Sequence, residues 1–422
     1  MKFIHTADLH LGVENYGKID ASTGIHSRLL DFKKNLEYCI DVALEKNVDL
    51  FLLCGDAYKT SQPTPTQQRL LVTQLLRLQR EKIPVVIVIG NHDNPFSFGK
   101  SHALDVFDYL PVEGFYVISR PEKLLINTKS GPVQIVGIPW PTRNILLLSE
   151  QHRVKSQSEV SSYLSKSLGE IVLSFAQSLD PFVPAILAGH LSVSTGIYSG
   201  SERSALVGND VTLLPSQLSL SQFDYVALGH LHKYQNLNIN NIPPIVYSGS
   251  LEKIDFGERD DEKGFCLGEI FVEKNKKECI YNFISVPTRK MLQIDIFLKD
   301  DSDFTSQILE NLKKYSIDGS LVKITYKVPE GKEDNVDLSR IYDACKNVHE
   351  VVNIIPVYKP VIRARRIELQ NVISTSELIK RYFILRGVAG GKIERLLLKS
   401  QELFAVYKNE NEEDIFLKNN EL

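Results

Sequence analysis

The apolar residues of this chain fall in short runs that stop at a glycine, an aspartate or a histidine. Such runs cover residues 3–4, 48–53, 85–89, 133–136, 185–188, 225–228 and 245–247. They are too short for buried helices and suit strands covered on both faces. Between them, residues 28–46, 66–82 and 160–178 have helical spacing and length. Strands alternating with helices predict an α/β core over residues 1–288.

The pattern changes near Pro287. Residues 291–298, 321–328 and 351–355 read as strands, and 301–314 and 338–348 as helices, which predicts a small α+β module over 289–355. Residues 356–373 open with Pro356-Val-Tyr-Lys-Pro360 and read as a stiff linker. Residues 374–422 start with Ser374-Thr-Ser-Glu377, a capping-box pattern. Two amphipathic helices follow, carrying Leu378, Ile379, Tyr382, Phe383 and Leu385, then Ile393, Leu396, Leu397, Leu403 and Phe404. A helix pair cannot build much of a core alone, so these faces are expected to dock on this chain or on a partner. Residues 361–399 hold nine Lys and Arg against three Glu, and residues 400–422 two Lys against six acids. A basic segment before an acidic tail suits an interaction element.

The chemistry sits where the strands end. The first ends in Asp8-Leu-His10, the second in Gly55-Asp56, and the third in Gly90-Asn-His-Asp93. Later strands end in Gly189-His190 and Gly229-His-Leu-His232. Open α/β sheets bind ligands at the carboxyl ends of their strands, so these ends are expected to converge on one rim. Imidazole, carboxylate and amide oxygen together suit Mn, Fe or Zn better than Ca. Two cations ~3.5–4 Å apart need a shared ligand, and Asp56, alone on its strand end, is the natural bridge. Asp8, His10 and His232 are assigned to one metal, and Asn91, His190 and His230 to the other. The glycines at 55, 90, 189 and 229 are expected to let the chain turn sharply under the metals. His5, His26, His102, His152 and His349 have no ligand-like context and read as packing or surface residues.

Composition excludes other classes. Lys and Arg total 49 against 52 Asp and Glu, so any nucleic-acid binding must use local patches and not bulk charge. Five cysteines without a C-x-x-C argue against a disulfide framework and a cysteine zinc site, and for a reducing compartment. No run reaches the ~18 apolar residues of a membrane span. The start, Met1-Lys-Phe-Ile4, leads straight into a strand pattern, so a cytoplasmic location without a signal peptide is expected.

These motifs, in this order, resemble the signature of calcineurin-like metallophosphoesterases. Residues 8–12, 55–60, 224–232 and 247–258 are also similar to stretches of SbcD-type nuclease subunits of DNA double-strand-break repair. The resemblance implies a four-layer αββα sandwich and two Mn²⁺ ions, with other divalent transition metals as substitutes. It implies that residues 289–355 cap the site, and that the C-terminal helices bind the coiled-coil root of an SbcC-type ABC ATPase. It also implies endonuclease and 3′→5′ exonuclease action on DNA ends and hairpins, and homodimers of the nuclease subunit. His92, one residue after the ligand Asn91, can face the substrate and protonate the departing sugar oxygen. Asp93 is expected either to hydrogen-bond His92 or to cap the turn. Some members carry a second histidine three residues after the bridging aspartate, and here that position is Lys59. Lys59 and Arg203 are candidate DNA contacts; a solvated surface lysine is the alternative for the first. A phosphoesterase for a small phosphodiester or nucleotide would share the five motifs without needing the C-terminal parts, and an inactive scaffold would not need the complete ligand set.

Overall fold

The computed structural model describes residues 1–95, 101–109, 112–142, 157–200, 211–273, 276–300, 303–358 and 375–403. The N-terminal run forms β1 (Lys2–Thr6), which enters the middle of a six-stranded sheet. β2 (Leu50–Cys54), β3 (Val85–Val88) and β4 (Phe115–Ile118) extend it in parallel, with Phe3 opposite Leu50 and Phe51 opposite Val85. The second six-stranded sheet takes β5 (Glu122–Thr128), β6 (Gly131–Ile138) and β7 (Ala185–His190). After the short ladder of β8 (Ser192–Val193) and β9 (Thr212–Leu213), it is completed by β10 (Tyr225–Gly229), β11 (Gln235–Asn236) and β12 (Ile245–Tyr247). A late hairpin, β13 (Gly264–Glu273) and β14 (Lys276–Ser285), closes the first sheet by pairing antiparallel to β1.

Every residue of β2, β3, β7 and β10 is buried, because both faces of each strand are covered. Between the sheets, Phe3, Leu50, Leu52 and Val86 meet Ile135, Ile186, Tyr225 and Val246. The outer face of the first sheet packs under α1 (Ser27–Glu45) and α2 (Pro65–Arg80) through Phe51, Ile87, Phe32 and Leu75. The outer face of the second packs under the helix Gln157–Gln177 through Leu187, Val226, Leu164 and Val172. The result is a four-layer αββα sandwich. Alternating residues of one strand serve two different layers, which is why the runs carry no polar face.

Residues beyond the sandwich form β15 (Met291–Phe297), β16 (Leu321–Lys327) and β17 (Glu350–Val357), all parallel. The crossovers are the helices Phe304–Leu312 and Leu338–Ala344, around a core including Ile294, Ile308, Ile324 and Ile341. β17 runs two residues past the strand expected from sequence, through Pro356, where the linker was placed. It lies at the sheet edge, where a residue without an amide proton is tolerated. The module is tied to the sandwich by Arg289, whose Nε and Nη2 donate to Asp31 at 2.7 and 2.6 Å.

The chain divides into two compact units, Met1–Val357 and Tyr358–Leu422. In the second, the helix Thr375–Leu385 ends at Gly387, with φ of +68°, and a further helix covers 390–403. Tyr382, Ile384, Leu385, Leu398 and Leu403 are exposed. The expected linker residues 359–373, the tail 404–422, His152 and Arg203 lie outside the described residues. Among the described residues, no helix is long and apolar enough to cross a membrane.

Candidate metal centre

β1, β2, β3, β7 and β10 all end at one rim, and the residues expected there meet. His10 Nε2 lies 3.0 Å from His232 Nε2 and 3.6 Å from Asp56 Oδ2. Asp8, His10 and His232 each offer a ligand atom within 4.8 Å of the others. On the other side of Asp56, the same Oδ2 lies 3.5 Å from His190 Nε2. Asn91 Oδ1 lies 2.9 Å from His190 Nε2 and 3.3 Å from His230 Nδ1. One carboxylate oxygen thus stands between two groups of donors.

The local backbone is unusual at the donors themselves. Asp8, His10, Asp56 and His230 have φ of +54°, +43°, +52° and +106°. Left-handed backbone is uncommon outside glycine, though aspartate and histidine tolerate it better than most, and it clusters at functional sites. This corrects the expected role of the glycines. Of the four, only Gly55 takes a positive φ. Gly90 and Gly229 instead give clearance: a Cβ at Gly90 would overlap Asp56, and one at Gly229 would overlap Cys54 O.

Most of these groups are fully buried, and burial dominates their protonation. It pushes His10 well below its ordinary value and His230 down to about 3. It pushes Asp8 up to about 6, against the pull of His190 and His232. At Asp56 burial acts upward too, but the imidazoles of His190, His10 and His92 outweigh it and hold the carboxyl low. His190 moves up to about 9; burial opposes this, and the Asp56 and Asp8 carboxylates drive it. The Asp56 and Asp8 carboxylates therefore favour a proton on His190. A divalent cation would take over that balance and release the proton. The donor set of imidazole, carboxylate and one amide oxygen suits a first-row transition ion.

Supporting groups fix the rings. His190 Nδ1 donates to Cys54 O at 2.9 Å. The backbone N–H of His230 donates to both Asp8 oxygens, at 3.1 and 3.0 Å. His232 Nδ1 donates to Glu258 Oε1 at 2.8 Å. Glu258 and Trp140 were not assigned a role from sequence. The single tryptophan lies with its ring centroid 4.8 Å from that of His230. No spacing rule connects either residue to the motifs.

His92 sits at the edge of this cluster. Its Nδ1 donates to Lys59 O at 2.9 Å and its backbone N–H to Asp56 Oδ1 at 2.8 Å. Burial lowers its pKa, with Asp56 opposing. One of its ring nitrogens also lies within 4.8 Å of ligand atoms of His10 and Asp56. Asp93 does not hydrogen-bond the His92 ring as one expectation held. Its carboxylate instead accepts from the N–H groups of Ala57, Tyr58 and Gly90 at 3.1–3.2 Å. Three backbone donors converge inside the turn, so the side chain joins the second and third strand ends. Burial and Asp56 raise its pKa to about 7.

The chain is 29% identical over 316 residues to a protein of Staphylococcus epidermidis named as the SbcD component of the nuclease SbcCD, covering 74% of this chain and 75% of that one. Among solved structures, a dimetal phosphatase from Danio rerio overlaps 67% of this chain and 98% of its own, at 12% identity and a TM-score of 0.40. A Thermus thermophilus protein overlaps 66% of this chain and 97% of its own, at 14% identity and a TM-score of 0.33. Overlaps this loose bear no weight in the assignment. The model of the calcineurin-like phosphoesterase family matches residues 1–234, a span that holds all five strand-end motifs. That span is more than half of the 422 residues, and the chain belongs to the calcineurin-like phosphoesterase family.

Proposed function

We propose that this protein is the nuclease subunit of an SbcCD-type complex, cleaving DNA phosphodiesters at ends and hairpins with two divalent cations, Mn²⁺ in the first instance. The observation that carries the reading is Asp56 Oδ2, 3.5 Å from His190 and 3.6 Å from His10, between two donor groups. Asp8, His10 and His232 would hold one cation, Asn91, His190 and His230 the other, and Asp56 both. When bound, the cations supply an activated water near neutral pH and neutralise charge on the phosphate.

The remaining steps belong to side chains. His92 Nδ1 is committed to Lys59 O, so Nε2 is the atom that exchanges a proton with the departing sugar oxygen. Asp93 acts through the backbone, holding residues 57, 58 and 90 in place. Lys59 reaches the same region, since its charge bears on both His10 and His92, and it is suited to phosphate. Arg203 remains a candidate DNA contact from sequence.

The name of the Staphylococcus relative, with three quarters of each chain aligned, favours a nuclease over a small-ester phosphoesterase and an SbcC-type subunit as partner; the C-terminal helices are assigned to the coiled coil of that partner by the family resemblance. Residues 289–355 are assigned to capping the site. The reading includes 3′→5′ exonuclease and endonuclease action, a homodimer and a cytoplasmic location. The test is cleavage of linear duplex and hairpin DNA in Mn²⁺, beside a small chromogenic phosphodiester. Cleavage of the diester alone, with DNA intact even when the ATPase is added, would reject the nuclease in favour of a small-ester phosphoesterase.

A further inference from the structure

Among the described residues, only one of the four ligand histidines has a carboxylate directly behind it. Glu258 Oε1 accepts from His232 Nδ1 at 2.8 Å. Its other oxygen accepts from Lys263 Nζ at 2.8 Å and from the Ile254 N–H at 2.9 Å. Lys263 Nζ also donates to His232 O at 2.8 Å. Glu258, Lys263 and His232 are 0, 1 and 4% exposed, so no bulk water competes for these bonds. The carboxylate is therefore locked in one orientation, and it can only accept. This leaves His232 protonated at Nδ1 with its Nε2 lone pair directed at His10. By contrast, His190 donates to a main-chain carbonyl and His10 Nδ1 has no partner.

We propose that Glu258, locked by Lys263, is a positioning residue that sets the tautomer and basicity of His232 and so selects for occupancy of the cation site made with Asp8 and His10. The inference rests on the dinuclear reading above and deepens it. Carboxylates behind a ligand imidazole fix its ring orientation and raise its donor strength. In Glu258→Gln, the two donors from Lys263 and Ile254 both demand the amide oxygen. The NH₂ group then turns to His232 Nδ1, which must accept, and the ring proton moves to Nε2, where a cation would bind.

The experiment is Mn²⁺ titration of the full chain by calorimetry, with electron paramagnetic resonance on the same samples. Wild type is expected to take up two Mn²⁺ and give the spectrum of a coupled pair. Glu258→Gln should keep one site at wild-type affinity, weaken the other by about 10–100-fold, and give a mononuclear spectrum at concentrations that saturate wild type. Glu258→Gln combined with Lys263→Met leaves no buried ammonium without its partner, and should show the same one-site loss if the single variant does not fold. Two wild-type affinities in either folded variant would overturn the proposal. Equal weakening of both sites in the double variant would also overturn it, since that is what general loosening produces. A wild-type chain that does not bind two Mn²⁺ would overturn the dinuclear reading itself, and this is read before any variant is made.

Discussion

The Nε2 atoms of His10 and His232 face each other at 3.0 Å across 222 residues of sequence. The first follows β1 and the second follows β10, strands of different sheets. The pair can meet only because the two sheets pack face to face with their carboxyl ends on one side. With Asp8 they form one half of the proposed site, His190, Asn91 and His230 form the other, and Asp56 Oδ2, 3.6 Å from His10 Nε2, stands between.

Asp56→Asn keeps the shape of the side chain and its bond with the His92 N–H but removes the shared negative charge. Bound manganese, measured by mass spectrometry of the purified chain, should fall from two per chain to one or fewer, with cleavage lost. Two retained ions would mean that Asp56 is not the bridge.

His92→Gln should lower the rate by about 10²–10⁴-fold, the usual cost of losing a positioned general acid. Metal content should stay at the wild-type level. A parallel drop in metal would place the His92 ring among the ligands with His10 and Asp56, an arrangement that its distance allows.

Arg28 is fully buried at the root of α1 and connects three parts of the molecule. Its Nη1 lies 2.9 Å from Asp31 and 3.6 Å from Glu252, and Asp31 in turn receives Arg289. Arg28→Met leaves the buried Glu252 carboxylate without its cation. Breaking such a pair costs about 3–5 kcal/mol, and urea unfolding should show a loss of that size. An unchanged midpoint would show that Asn35 and the Lys253 N–H, which both donate to Glu252 at 2.9 Å, are enough by themselves.

His5 is enclosed between Tyr225 OH and Leu228 O, and burial pushes it from its ordinary 6.5 down to about 3, against the bond to Leu228. Below pH 6.5 the unfolded chain binds a proton that the folded chain refuses. Its stabilising effect is therefore full above that pH and lost as pH falls from 6.5 toward 3. His5→Gln should flatten the pH dependence of stability in this window by about 1.4 kcal/mol per pH unit relative to wild type. Parallel stability curves for the two proteins would contradict a neutral buried His5.

A chain ending at Tyr358 keeps the whole first compact unit, Met1–Val357. It should retain Mn²⁺-dependent cleavage of simple substrates and lose co-purification with the coiled-coil ATPase. Leu385→Asp with Leu398→Asp, both exposed, should reproduce the loss in the full chain, because partner helices are commonly held through such apolar faces. Undiminished capture of the ATPase by the shortened chain would reject this role for the helices.

The local sequence by itself determined the alternation of strands and helices and named the candidate donors, while the four layers were implied by the family resemblance. Short apolar runs without a polar face suit strands covered twice, and the residues that end them carry their chemistry openly as Asp8, His10, Asp56, Asn91, His190, His230 and His232. What only the tertiary structure decided are the relations between distant segments. The β13–β14 hairpin closes beside β1 from the far end of the sandwich, and no local pattern reveals such a pairing. Asp93 turned to backbone donors of residues 57 and 58, because the turn holding it lies against the second strand end. Glu258 ends the stretch 247–258 that resembles the nuclease branch, but that likeness gave it no role, and only chain folding brings its carboxylate behind His232. A residue's type states what it can bind, but the packing of two sheets and their loops settles which atoms come within reach.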